Sequence, residues 1–367
     1  MTQKKRIGVL TSGGDCSGLN AAIRAVTFSA TTKGWEVIGI HNATDGLFSR
    51  PMRYQKLTLA DFEFPYATLG GTMLGTNNFG KPYPQKEDGT YEELSQDELN
   101  KRFKDGIEEL GLSAMIVIGG DGSQSIVGGY CRRAGISVIG IPKTIDNDTP
   151  GTELSIGFST ARSVVMDALD KIDTTASSHH RVMVVEVMGR GAGHLALESG
   201  IAGFADAILI PEVPYNYDNL VAHIKKLKDN GKQHSLIVVA QGVKMPDGKA
   251  CISTVNEGGV KIFGGISEYF TEKLRQDGFN VRGNILGHMQ RAGSPVASDR
   301  LVASSFAVKA IDLLCQGKTN RMVVFQDGAV TDLDINDVLK IGNYPVDPNG
   351  SMVQVARNLG IYVGEVK

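Results

Sequence analysis

The chain is poor in several residue classes, and each shortage narrows what it can be. Only four cysteines occur in 367 residues (Cys16, Cys131, Cys251 and Cys315), and no two form a CxxC pair. That argues against a disulfide framework or a cysteine-rich zinc site, and fits reduced, mostly buried thiols in a cytosolic protein. The single tryptophan, Trp35, and the scattered methionines read as core. Neither sign of charge dominates: 38 Lys and Arg stand against 40 Asp and Glu, a formal net charge of −2. There is therefore no global electrostatic case for nucleic acid or a membrane surface as partner. No apolar run approaches the ~20 residues of a membrane span. The first residues, Met1–Arg6, lead into a strand without an apolar signal region, so the expected location is cytoplasmic.

Glycine, by contrast, is abundant, with 45 residues, against 41% hydrophobic and 21% charged. Short apolar runs alternate with longer helical patterns, the signature of βαβ units and a mostly parallel sheet. Strands are expected at 6–11, 36–41, 113–119, 136–142, 181–187, 206–210, 235–240 and 321–325. Helices are expected at roughly 18–34, 97–110, 124–135, 158–176, 192–201, 218–230, 261–278 and 298–316. The length suits two α/β domains or one very large one. The polar stretch 80–96 reads as a surface excursion.

Three strand ends carry carboxylates, the first two beside glycines: Ser12-Gly-Gly-Asp15, Gly119-Gly-Asp-Gly-Ser123, and Lys143-Thr-Ile-Asp-Asn-Asp148. Glycine lets backbone amides approach a phosphate, while carboxylates hold magnesium or accept a proton. Several such turns together point to phosphoryl transfer. Each has an ordinary alternative: a packing turn at Gly14, a helix cap at Asp121, a solvated loop at Asp146 and Asp148. A different class of function is suggested by Gly191-Ala-Gly193-His-Leu-Ala196 with Glu212 downstream. This fits a dinucleotide fingerprint with a ribose-binding acid, as in an NAD-dependent dehydrogenase. Arg181, Arg190, Arg282 and Arg291 offer guanidinium forks for a sugar phosphate, although each alone could be a surface ion pair.

Six segments in order resemble the 6-phosphofructokinase family. They are TSGGD (11–15), GGTMLGT (70–76), IGGDGS (118–123), PKTIDND (142–148), VVEVMGRGAGH (184–194) and GHMQRAGSP (287–295). The resemblance implies two similar Rossmann-like three-layer α/β domains with mostly parallel sheets and the active site between them. It implies a phosphoryl-donor domain, 1–157 plus about 290–340, and a fructose 6-phosphate domain, 158–289 plus about 341–367. Asp146 would accept the C1 hydroxyl proton, with Thr144, Arg190 and Gly14 assisting transfer. Gly14, Asp121, Gly122, Ser123 and Lys143 would line the donor, and Asp121 with Asp148 would hold Mg2+. Thr144, Asp146, Met188, Gly189, Arg190, Gln241, His288 and Arg291 would bind the sugar phosphate. Arg181 and Arg282 would reach a neighbouring subunit's site, in a homotetramer or homodimer.

The donor signals conflict. Gly122 leaves space for a nucleotide α-phosphate and favours ATP, whereas Lys143 is typical of pyrophosphate users; such Gly/Lys chains resemble the mixed-substrate subgroup. Steric exclusion discriminates more strongly than one attractive charge, so the expected donor is ATP, with pyrophosphate the alternative. Asn78 stands where the family has arginine, with Lys81 a candidate substitute. Gln241 replaces a sugar-binding glutamate, keeping hydrogen bonding without charge.

Overall fold

The computed structural model describes residues 5–63, 65–78, 84, 86, 88, 90–255 and 261–365. Lys81 and much of the 80–96 stretch lie outside the described residues. Strands in chain order are β1 (Arg6–Ser12), β2 (Glu36–Ile40), β3 (Tyr54–Leu57), β4 (Ala114–Gly119), β5 (Ser137–Thr144), β6 (Ile156–Gly157) and β7 (Val182–Val187). They continue as β8 (Ala207–Leu209), β9 (Ser235–Ala240), β10 (Ile252–Val255), β11 (Lys261–Phe263), β12 (Val281–Ile285), β13 (Arg321–Gln326) and β14 (Ala329–Asp334). The chain divides into two compact units. Unit 1 holds Met1–Thr144, Thr149–Ser159 and Arg291–Gly342; unit 2 holds Ile145–Asp148, Thr160–Gln290 and Asn343–Lys367.

Unit 1 is built on a sheet of order β14-β13-β5-β4-β1-β2-β3, with β6 paired to β5. The inner strands run parallel and only the edges β14 and β3 are antiparallel. Period-two alternation makes one sheet face from Leu10, Met115, Val117, Val138 and Met322. These pack with Phe48, Phe103 and Tyr130, whose rings meet at centroid distances of 5.3 Å (Phe103–Tyr130) and 5.4 Å (Phe48–Tyr130). Helices Leu19–Thr32 and Ala297–Cys315 pack together and against the sheet, helix–sheet layering that buries both faces of a parallel sheet.

The register matters most for function. Ser12 pairs with Gly119, and Gly119 with Pro142, so β1 and β4 finish level and β5 runs two residues further, to Thr144. The glycine- and acid-bearing turns after β1 and β4 therefore leave the sheet side by side, with Lys143 near the end of β5 next to them, at the edge where open α/β sheets bind ligands.

Unit 2 carries a wholly parallel sheet of order β12-β7-β9-β8. Val187 pairs with Ala240, Glu186 with Ile285 and Leu209 with Val239, so its loops also emerge at one edge. The far edge, β8, is covered by Tyr362, whose N–H donates to Asp206 O (3.0 Å) and whose carbonyl accepts Ile208 N–H (2.8 Å).

Several expectations need correction. The helix expected over 261–278 is strand β11 followed by helix Ile266–Gln276, because Gly264 and Gly265 take φ of 157° and 97° between them. Trp35 is only half-buried, with the Lys5 ammonium 4.1 Å above its ring. Cys315 is exposed and Cys251 half-buried, while Cys16 and Cys131 are buried. Met289 is 67% exposed. No helix among the described residues is long and apolar enough to cross a membrane.

Candidate active site

In unit 1 the turn after β1 starts at Gly13, whose φ of 84° suits glycine. Gly13 N–H donates to Asn77 O (3.0 Å) and its carbonyl accepts Thr76 Oγ1 (2.6 Å). Thr11 Oγ1 donates to Gly75 O (2.8 Å) and Asn20 Oδ1 accepts Met73 N–H (2.7 Å), so the 70–76 segment is latched onto this turn. Lys143, only 4% exposed, reaches from the end of β5 and its ammonium donates to Gly14 O. A Cβ on Gly13 would stand 3.3 Å from Ser123 Oγ and 3.4 Å from Lys143 Nζ. Arg291 Nη1 donates to Asp15 O (3.0 Å) and would lie 2.8 Å from a Cβ on Gly14. Gly14, Ser123, Lys143 and Arg291 thus converge, and Arg291, expected in the sugar-phosphate pocket, is placed in unit 1 against this turn. Cys16, beneath it, is no nucleophile: burial pushes its thiol up to about 12.

The turn after β4 leads into helix Asp121–Ala134. Gly120 holds the N-cap position and Asp121 is the first helical residue, so Asp121 is not the cap. The first-turn amides of that helix lack intrahelical acceptors and favour an anion. Around Gly122 an added Cβ would meet nothing within 4 Å among the described residues. Thr144 ends β5, its carbonyl accepting Ser155 Oγ (2.7 Å).

In unit 2, Asp146 and Asp148 are half-buried, flanking Asn147 at φ of 50°. Tyr344 N–H donates to Asp148 O (2.8 Å). After β7 come buried Met188, Gly189 at φ of 125°, and exposed Arg190. Gln290 Oε1 accepts Met188 N–H (3.0 Å) and its Nε2 donates to Gly287 O (2.9 Å), joining the His288 turn to the Met188 turn. Gln241 N–H donates to Val187 O (2.9 Å), bringing Gln241 beside them. Arg282 is exposed on the sheet-edge strand β12, while Arg181 is half-buried at the start of β7.

Glu212 explains the dinucleotide-like spacing in another way. Its Oε1 accepts both Gly193 N–H (2.8 Å) and Val346 N–H (2.8 Å), a bracing role inside the protein for the acid expected to bind ribose. Sequence reasoning also missed Gln124, 2% exposed, whose amide donates to Val117 O, Gly119 O and Ile141 O, tying β4 to β5. It missed Glu186, fully buried, whose carboxylate accepts Gly265 and Ser267 N–H at the start of helix Ile266–Gln276. A lone polar residue inside an otherwise apolar strand, as Glu186 is in β7, was the available signal.

No group of three or more His, Cys, Asp or Glu able to hold a metal occurs among the described residues. Mg2+ needs no such group, since it takes one or two carboxylates and completes its shell with phosphate and water, and Asp121 in the first turn of helix Asp121–Ala134 is a carboxylate of that kind.

A phosphofructokinase family model matches residues 6–314. The chain is 46% identical to an ATP-dependent 6-phosphofructokinase 1 from Nostoc sp., over 100% of both chains. It is 43% identical to an ATP-dependent 6-phosphofructokinase 1 from Synechocystis sp., over 99% of each. Among solved structures, phosphofructokinase from Saccharomyces cerevisiae superposes with a TM-score of 0.77 at 26% identity, over 97% of this chain and 47% of that longer one. A pyrophosphate-dependent phosphofructokinase from Marinobacter aquaeolei shares the fold, with a TM-score of 0.76 at 19% identity over 99% of this chain and 92% of that one. With its level strand ends, glycine turns and full-length relatives, the chain belongs to the phosphofructokinase family.

Proposed function

We propose that the chain transfers the γ-phosphoryl group of ATP to the C1 hydroxyl of fructose 6-phosphate, giving fructose 1,6-bisphosphate and ADP in the cytoplasm. The observation that carries ATP as donor is the open space at Gly122, next to Asp121 at a helix N-terminus. The relatives named as ATP-dependent enzymes support the same donor.

In this reading unit 1 is the donor domain. Gly14, Gly122, Ser123 and Lys143 line the phosphates; Asp121, with Asp148, would hold Mg2+, which when bound would supply neutralisation of phosphate charge. Unit 2 is the sugar domain, with Met188, Gly189, Gln241 and His288 shaping its pocket. Arg291, whose Nη1 donates to Asp15 O, is assigned to the sugar phosphate in this reading. The C1 oxygen forms a bond to the γ-phosphorus as the bond to the β–γ bridging oxygen breaks. Its proton passes to the Asp146 carboxylate. Thr144 and Arg190 bind the transferred group, where charge develops. Exposed Arg282, with Arg181, serves a neighbouring subunit's site in a homotetramer or homodimer.

The test is an initial-rate comparison of ATP and pyrophosphate at saturating fructose 6-phosphate and Mg2+. Faster turnover with ATP supports the proposal; activity confined to pyrophosphate overturns the donor, and inactivity with both overturns the reaction.

A further inference from the structure

Within unit 2, one short segment holds several loops at once. Asn343 Nδ2 donates to Gly191 O (3.0 Å). Tyr344 N–H donates to Asp148 O (2.8 Å), and Tyr344 O lies 3.0 Å from His194 Nε2. The Tyr344 ring stacks on the His194 imidazole, with centroids 5.9 Å apart and planes 10° from parallel. Val346 N–H donates to the same Glu212 oxygen that accepts Gly193 N–H.

These loops need outside support. Arg190 sits between two glycines, and glycine confers little backbone preference of its own. Its peptide is confined on one side by Gly242, where a Cβ would come within 2.0 Å of Arg190 O, and Gly242 N–H donates to Gly189 O (2.9 Å). Asn343 confines the other side: a Cβ on Gly191 would stand 2.8 Å from its Nδ2. Asn147, at φ of 50°, occupies a region non-glycine residues seldom adopt, and the next carbonyl is held by Tyr344. Asn343, Tyr344 and Pro345 are exposed, so apolar burial does not account for their placement; directional polar contacts do.

We infer that Asn343–Val346, braced by Glu212 and His194, is a positioning clasp. It sets the Arg190 peptide and the Asp146–Asp148 loop in register for phosphoryl transfer. The inference rests on the function proposed above. None of these residues touches substrate in this reading; they act through Arg190 and Asp148. Loss of the clasp lowers the population of correctly aligned loops and so depresses kcat, while the sugar pocket built by Met188, Gln241 and His288 stays in place.

The test uses the full chain as wild type, Asp146→Ser, Asn343→Ala, Glu212→Ala and Glu212→Gln, with ATP, fructose 6-phosphate and Mg2+. Asn343→Ala and Glu212→Ala should lower kcat about 10- to 100-fold, the range expected of small misalignments. The KM for fructose 6-phosphate should stay within about threefold. Glu212→Gln should restore kcat, because one amide oxygen can accept both N–H groups. Hydrogen exchange read by mass spectrometry should quicken in peptides covering 145–149 and 188–193 of Asn343→Ala. Should Glu212→Ala fail to fold, exposed Asn343 and Glu212→Gln still decide the matter. Wild-type kcat in Asn343→Ala overturns the clasp, as does Glu212→Gln being as impaired as Glu212→Ala. If the wild type does not phosphorylate fructose 6-phosphate, the function proposed above fails, and the exchange rates alone then decide the clasp, unchanged rates overturning it.

Discussion

A carboxylate introduced at position 122 would alter donor recognition while leaving the fold intact. Gly122 lies in the first turn of helix Asp121–Ala134, and nothing among the described residues comes within 4 Å of an added Cβ. Steric cost to folding is therefore small. Helix propensity improves by about 0.3 kcal/mol from Gly to Asp. An acid in the first turn adds about 0.3–1 kcal/mol through the helix dipole. The thermal midpoint of Gly122→Asp should accordingly hold or rise slightly. Donor binding should respond in the opposite sense. A carboxylate about 4 Å from a phosphate oxygen repels it by about 1 kcal/mol at water's dielectric and about 4 kcal/mol near a protein surface. At about 1.4 kcal/mol per tenfold, kcat/KM for ATP should fall between about 5-fold and several-hundred-fold. Pyrophosphate has no α-phosphate and should be spared. Steady-state rates with each donor, beside a melting curve, provide the assay. An ATP kcat/KM within twofold of wild type, in a variant that melts normally, would refute the reasoning that Gly122 makes room for the nucleotide.

Asp146→Ser should cost at least about 100-fold in kcat through loss of the proton acceptor, with the KM for fructose 6-phosphate changing modestly; near-normal turnover would remove Asp146 from the role. In native protein, Ellman's reagent at pH 8 should label exposed Cys315 quickly, while Cys16 and Cys131, whose thiols burial pushes up to about 12, stay silent until unfolding. Burial alone would raise the carboxyl pKa of Asp332, yet the Arg321 hydrogen bond (2.7 Å), with Lys318 and Lys309, brings it below its ordinary value. A depressed folded value gives stability that is present above the unfolded pKa of about 3.9 and lost as pH falls through the folded one. Asp332→Asn should therefore melt earlier than wild type at pH 7, and the gap should close as the pH is taken below 4; a gap independent of pH would contradict this.

How much of this could be read from sequence varied with where the determinants lie. Interior strands β1, β4, β5, β7 and β9 were legible because burial on both faces imposes continuous apolar runs. Of the edge strands, the fully buried β8 was legible and the others were not: β12 reads Val-Arg-Gly-Asn-Ile, exposed over most of its length, and β3 and β14 pair antiparallel at the margins of their sheet. The acids of the glycine turns were visible because turn and chemistry are encoded within a few residues. The bracing residues were not. Gln124, Glu186, Glu212 and Gln290 act on backbone groups brought near by folding, some more than a hundred positions away in the case of Gln290 and Met188. Local spacing carries no trace of such partners, and for Glu212 it suggested a ribose ligand.

The seal along β8 bears on how the protein can be handled. With residues 361–365 in place, the outermost strand of the four-stranded sheet presents its hydrogen-bonding groups to the chain's own tail. Clipping that tail would bare a short apolar ribbon, Ala207-Ile-Leu209, to any extended peptide nearby. Proteolytic nicking just before Ile361 should then surface first as turbidity on storage.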